Sequence, residues 1–277
     1  MQITVYGATG TFGHHLVTHL RSRGHSVIAA HRGIGVDTYN GEGVTEAAEG
    51  SDVLVDCVNR MTNNRHKALD FFSRSSRSIA MAAAENPGAA MVCLSIAFRP
   101  EVTRSKLLGY YQGKELQERV YRRLVPSDQL LVFRSAQWFE LAQSMAIAAG
   151  PLAFVPKMVV RALAADEAAR MMAEAIDSGE RGTVEVAGPE ISDMPSIAAA
   201  ILGAGAGAGA GAGTAGRDGA VRDARDSEVS DGAGRGRRRR VPTVIPVPIP
   251  GPMSRDGLIP DSPRLSDVTL DEWLRTR

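Results

Sequence analysis

The chain has 277 residues, enough for one large domain or two small ones. Its 32 basic and 31 acidic residues leave a net charge of +1, which argues against a general nucleic-acid binder and against a membrane-surface protein, since both need a net basic field. Hydrophobic residues are 44% and aromatics 5%, so a sizeable core can form, and aliphatics with alanine must fill it.

Short β-type runs alternate with helical patterns over the first 135 residues. Ile3–Tyr6 reads as a strand, and Phe12–Arg23 as a helix with Phe12, Leu16 and Leu20 on one face. Ser26–Ala30 is a second strand, and Val36 closes a short third one. A short helix at Thr45–Glu49 precedes a fourth strand at 52–58. A long helix over 64–85 stops at Asn86-Pro87-Gly88. Met91–Ala97 is a fifth strand, Ser105–Leu124 a helix and Leu130–Phe133 a sixth strand. This alternation predicts right-handed crossovers onto a parallel sheet, a doubly wound α/β fold.

After Arg134 the rhythm changes. A helix over Asp166–Ile176, with Asp166 as its cap, a strand at Thr183–Val186, a helix from Ile197 and a capped tail from Thr269 suggest a smaller lobe beside the sheet. The division expected is 1–140 for the sheet domain and 141–277 for the lobe. Gly203–Gly213 alternates glycine with alanine and leads into a charged run ending in Arg237–Arg240. Such a composition buries too little apolar area to offset ordering entropy, so 203–240 is expected to be a disordered insertion, with a protein-docking role for it kept open.

No basic n-region or apolar h-region opens the chain. The longest uncharged apolar stretch, Leu141–Val155, contains Gln143, Ser144, Gly150 and Pro151 and falls short of the roughly 20 residues a bilayer needs. A cytoplasmic protein is expected. Cys57 and Cys93 are too few for a disulfide framework or a four-ligand zinc site and read as buried reduced thiols.

The chemistry starts at Gly7-Ala8-Thr9-Gly10-Thr11-Phe12-Gly13, between a strand ending at Tyr6 and a helix starting near Thr11. Gly7 permits the tight turn, Gly10 lets the backbone approach a pyrophosphate, and Gly13 lets the helix pack close. The helix N-terminus then offers free N–H groups and a positive dipole end to phosphate. An NAD site would place an acid about 20 residues on. Here the second strand ends at His31-Arg32, and Arg32 could pair with a 2′-phosphate, so NADP(H) is favoured over NAD(H).

Tyr110 and Lys114 are separated by i, i+4 and share a helix face. An ammonium beside the phenol would lower its pKa and suit Tyr110 to proton exchange with a carbonyl or alcohol. Lys114 would also hold ribose hydroxyls. Ser95, at the end of the fifth strand, could orient a substrate oxygen. The other reading of the pair is an ordinary surface Tyr–Lys contact. Trp138 and Phe139 line an apolar pocket on one reading and pack in the core on the other. His14, His15 and His19 are set aside as metal ligands because no carboxylate or Cys joins them in a known ligand spacing.

Together the fingerprint GATGTFG, Arg32, Ser95 and the YYQGK helix resemble the short-chain dehydrogenase/reductase superfamily, most of all its atypical, NmrA-like, NAD(P)-binding branch. LVFRSAQWFE (131–140), AADEAAR (164–170), VAGPE (186–190) and PVPIPG (246–251) extend the resemblance over nearly the whole chain outside 203–240. It implies a Rossmann fold with a small C-terminal substrate-binding lobe. It places Gly7, Thr9, Gly10, Thr11, Phe12, Gly13, Arg32, Asn59 and Lys114 around the dinucleotide. Tyr110 and Lys114 fall on the catalytic pair. The activity expected is an NAD(P)H-dependent reduction of a small carbonyl, quinone or similar electrophile. The alternative is a non-catalytic NADP-binding redox sensor, since the branch contains such members.

Overall fold

The computed structural model describes residues 1–105, 107–208 and 241–277. The first part runs β1 (Gln2–Tyr6), α1 (Thr11–Ser22), β2 (Ser26–Ala30), α2 (Val44–Ala48), β3 (Val53–Asp56), α3 (Arg65–Ala84) and β4 (Ala90–Ile96). It continues with α4 (Pro100–Thr103), α5 (Gly109–Leu124), β5 (Leu130–Ser135), α6 (Phe139–Ser144), β6 (Ile147–Ala149), β7 (Leu152–Lys157) and β8 (Val159–Val160). The remainder is α7 (Ala165–Asp177), β9 (Gly182–Ala187), β10 (Ser192–Asp193), α8 (Met194–Ala208), β11 (Thr243–Pro248), β12 (Arg264–Leu265) and α9 (Leu270–Arg275).

Seven parallel strands form the main sheet in the order β12-β9-β5-β4-β3-β1-β2. The doubly wound α/β fold read from the sequence is therefore present. Its strands are nearly continuous apolar runs, as a sheet covered on both faces requires; all four residues of β3 are buried. On one face α1 and α7 pack together, joining Phe12, Leu16 and Leu20 to Met171, Met172 and Ile176. On the other, α2, α3 and α5 contribute Val44, Ile79, Ala80 and Tyr121. From β1 the chain first moves outward to β2 and then returns to place β3 on the other side of β1. That reversal opens a crevice beyond the carboxyl ends of β1 and β3, where open α/β sheets bind ligands.

The sheet crosses the 140/141 division expected from the change of rhythm, because β9 pairs with β5 and β12 with β9. A separate cluster holds Phe139, Val155, Met158, Met194, Ile197, Met253 and Trp273 together with Val102 and Tyr111. This packs α6, α8, α9 and the small β11-β7-β6 sheet over the ends of α4 and α5.

Several local expectations change. No strand forms at Val36; Arg32–Ile34 makes one 3-10 turn, and Asp37 and Glu42 form only an isolated bridge. The helix expected from Ser105 starts at Gly109, with α4 split off ahead of it. Ala164 takes the cap position of α7, and Glu140 accepts the Ala165 N–H at 3.2 Å in place of Asp166. Asp166 instead accepts His19 Nε2 at 2.9 Å and lies 3.0 Å from His15 Nδ1, so a carboxylate does join these histidines. Among the described residues, however, no group of three or more potential ligands is arranged to hold a metal. Helix α8 runs on to Ala208, because alanine at alternate positions sustains the helix begun at Met194. The rest of the expected insertion, with its arginine run, lies outside the described residues. No described helix is long and apolar enough to cross a membrane. Both cysteines are free and buried.

A buried ion network ties α5 to the sheet. Arg134 donates to both Glu118 carboxylate oxygens, at 2.9 and 2.8 Å, and to Glu185 at 3.1 Å; Arg122 adds a 2.8 Å bond to Glu118. Burial pushes the Glu118 carboxyl up, but the Arg134 bonds overcome it and hold the group below its ordinary value. Glu118→Gln is expected to cost about 3 kcal/mol, the low end for breaking a buried pair, since Arg134 remains 25% exposed. The wild-type advantage should be complete above the unfolded carboxyl's pKa of about 4.3 and disappear as pH falls through the lower folded value. Urea unfolding of both proteins at pH 7 and pH 3 measures it.

Candidate functional site

Gly7 leaves β1 with φ at +77°, and a Cβ on Gly13 would sit 2.3 Å from the Gly7 carbonyl oxygen. Only a hydrogen there lets α1 start against the turn. The N-terminus of α1 carries no side-chain cap and no acid in its first turn. Its N–H groups and positive dipole end thus meet the crevice unopposed, the arrangement that suits a pyrophosphate.

A cavity of about 630 Å³ extends from this loop across the ends of β1, β2 and β3. Gly7, Thr9, Gly10, Arg32 and Asn59 line it, together with Tyr39, Arg60 and Phe71. Tyr39 and Phe71 are stacked, with ring centroids 6.0 Å apart. The Arg60 guanidinium lies 5.7 Å from the Phe71 ring centre. Asp37, the first acid after β2, also reaches the cavity, but its carboxylate accepts from the Tyr39 N–H at 2.9 Å and the Asn40 amide at 3.4 Å. It closes its own turn while two arginines face the same space. Sequence reasoning missed Arg60, although its position directly after Asn59, beyond β3, was a usable signal.

A second cavity of about 760 Å³ opens on the other side of Asn59. Thr11, Phe12, Asn59, Ser95, Tyr110 and Lys114 all border it, and Gly10 and Asn59 border both cavities. Helix α5 reaches it because Gly113 packs onto the Phe72 ring; a Cβ there would stand 2.5 Å from that ring. Tyr110 and Lys114 then flank Phe72, at 6.0 Å between rings and 5.1 Å from ammonium to ring centre.

The expected pairing of phenol with ammonium does not form. Lys114 Nζ donates to the Leu94 carbonyl at 2.6 Å, an acceptor that the end of β4 places next to it. The Tyr110 hydroxyl donates to Asn59 Oδ1 at 3.0 Å. Burial pushes the Tyr110 phenol up to about 12, against a smaller lowering by the Asn59 bond. The phenol therefore keeps its proton at neutral pH. Ser95 is 1% exposed and lies beside Glu118, and its hydroxyl has no hydrogen bond of good geometry. Phe12 is buried and stacks on Trp138 at 5.4 Å, so Trp138 both packs against the core and lines the cavity. Phe139 belongs to the core cluster of the lobe, against Trp273. Gln137, which the sequence did not single out, lies in the cavity wall at 4% exposure.

The fold is similar to those of several solved short-chain dehydrogenase/reductase and sugar-nucleotide reductase structures. A short-chain dehydrogenase/reductase superfamily protein from Agrobacterium tumefaciens, solved with bound NAD, superposes with a TM-score of 0.61 over 100% of this chain and 95% of that one, at 15% identity. A dTDP-4-dehydrorhamnose reductase from Clostridium acetobutylicum gives 0.58 over 74% and 80% of the two chains, at 17% identity. The dTDP-4-dehydrorhamnose reductase from Bacillus anthracis, in complex with NADP, gives 0.56 over 71% and 78%, at 15% identity. No family model and no curated protein matches the sequence.

Proposed function

We propose that this chain is an NADPH-dependent reductase of the atypical, NmrA-like short-chain dehydrogenase/reductase type, acting on a small uncharged carbonyl compound, quinone or related electrophile. The observation that carries the reading is the Tyr110 hydroxyl, a protonated phenol on the wall of the apolar cavity, bonded to Asn59, which also lines the glycine-loop cavity. The reduced nicotinamide would supply the hydride. The glycine loop and the α1 N-terminus would hold the pyrophosphate, and Arg32 with Arg60 the 2′-phosphate. Lys114 keeps two N–H bonds for ribose hydroxyls after donating to Leu94. Tyr110 gives its proton to the substrate oxygen as the carbon accepts hydride, and Ser95 orients that oxygen. Calorimetric titration with NADPH, followed by NADPH oxidation against aldehydes, ketones and quinones, tests the reading.

Arg32→Ala is expected to weaken NADPH binding by roughly 10- to 150-fold, the loss of one charge-assisted bond, and to leave NADH affinity nearly unchanged. Equal losses for the two nucleotides in calorimetry would remove the 2′-phosphate assignment.

The bond from Tyr110 to Asn59 supports a second reading, in which the donor stays engaged and the chain senses NADP without turnover. Tight NADPH binding with no oxidation across the whole panel would favour it.

A further inference from the structure

We propose that the apolar cavity takes an uncharged carbonyl compound with an extended apolar tail, and that Met61 and Leu107 form the subsite for that tail at the cavity mouth; this rests on the reading of the cavity as the substrate site. Both residues border the cavity, yet both stand largely in solvent, Met61 at 59% and Leu107 at 74% exposure. Wall residues exposed to that degree lie where the cavity meets water. Among the described residues, no large apolar side chain is more exposed than Leu107. The two come from segments that meet. Met61 lies between β3 and α3, and Leu107 lies in the turn before α5. A Cβ on Gly109 would stand 2.6 Å from the Arg65 backbone and 2.7 Å from the Asn63 carbonyl oxygen, so the segments touch backbone to backbone close to both side chains. The turn itself is held. The Leu108 N–H donates to the Ser105 carbonyl at 3.2 Å, and the Gln112 amide donates to the Thr103 and Ser105 carbonyls at 2.8 and 3.2 Å. A bonded turn thus presents Leu107 outward.

The wall decides what covers these side chains. Half-buried Leu108 and Ile249 continue the same apolar surface. Among the described lining residues no carboxylate occurs, and the single cation, Lys114, is engaged with the Leu94 carbonyl at 2.6 Å. A ligand carrying a diphosphate would lose its water at this mouth with no free cation to replace it. An apolar tail gains instead, by up to about fourfold in affinity for each methylene removed from water. The Met61 thioether is flexible enough to fold onto such a tail. Exposed Asn63 and Ser144 interrupt the apolar rim. The patch is therefore narrow, and two side chains fall far short of the roughly 800 Å² per partner of a stable protein interface. Its continuity with the cavity points to the part of a bound ligand that the interior does not hold.

The test uses the full-length protein and phenyl ketones of growing tail, from acetophenone to octanophenone. Equilibrium dialysis compares the wild type with the double variant Met61→Ser/Leu107→Ser, whose thermal midpoint should not change because both positions are exposed. Wild-type affinity should rise with tail length up to octanophenone. The double variant is expected to lose about tenfold for octanophenone and less than about twofold for the shortest ketone that binds measurably. No binding of octanophenone by the wild type, an unchanged affinity in the variant, or a loss of equal size for short and long ketones would overturn the assignment. Vesicles of neutral phosphatidylcholine provide the remaining arm: binding to them that the double variant abolishes, with octanophenone affinity intact, would give the rim to a lipid surface and overturn it too. Failure of the reductase reading looks different: a tail preference that depends on Met61 and Leu107, with no NADPH oxidation, would leave the subsite standing and remove the catalysis.

Discussion

Tyr110→Phe is expected to lower turnover of NADPH with an accepted substrate by roughly 10²- to 10⁴-fold, the usual contribution of a positioned general acid. Nucleotide affinity should change little, because the substitution removes only the hydroxyl and its bond to Asn59. The phenol, pushed up to about 12 by burial, remains protonated and able to donate across the working range. A group whose pKa is raised keeps its proton below that value, so turnover should show no basic limb from Tyr110 between pH 6 and about 10. A pH profile with a break near 7 that vanishes in Tyr110→Phe would instead mean that an ammonium lowers the phenol's pKa. Unchanged turnover in the variant would exclude Tyr110 as the donor.

Gly13→Ala should have the next largest effect. The added carbon would stand 2.3 Å from the Gly7 carbonyl oxygen, an atom of a backbone turn that cannot swing aside. Helix α1 must then lift away from the loop. Overpacking of this kind costs about 1–3 kcal/mol in stability, and misplacing the phosphate-binding N–H groups by about 1 Å should weaken NADPH binding by roughly 10²-fold. Gly203→Ala in α8 is the control: a Cβ there meets nothing within 4 Å. Alanine in place of that helical glycine should raise stability by up to about 1 kcal/mol without touching nucleotide affinity. Urea unfolding and calorimetry read both variants.

The glycine loop was legible because its demands are local. Turn, free helix N-terminus and close packing all fall within seven residues, Gly7–Gly13, and each needs a particular residue type. The parallel sheet was legible for a related reason: strands buried on both faces become apolar runs that differ from the amphipathic helices between them. The partner of Lys114 was not. Spacing of i, i+4 shows that two side chains share a helix face, but a long flexible amine goes to its best acceptor, and β4 supplies the Leu94 carbonyl from twenty residues away. The meeting of His15 and His19 with Asp166 likewise depends on α1 lying against α7, a contact between distant segments. The buried, unpaired amide of Gln137 was not legible either, because a glutamine in an apolar run has no motif and its surroundings exist only in the packed fold. The resemblance puts Asn59 beside the dinucleotide, yet its role as acceptor for Tyr110 required the fold.

The strand β9, donated from beyond residue 180 to the flank of β5, has a consequence for anyone cutting the gene. A product stopped after residue 140 would leave β5 as a bare, ladder-ready border and would strip α7 from the apolar side of α1. Unpaired borders of that kind recruit other chains. The first 140 residues should therefore emerge as aggregate when made by themselves and become well behaved only when the downstream fragment is co-produced to zip onto them.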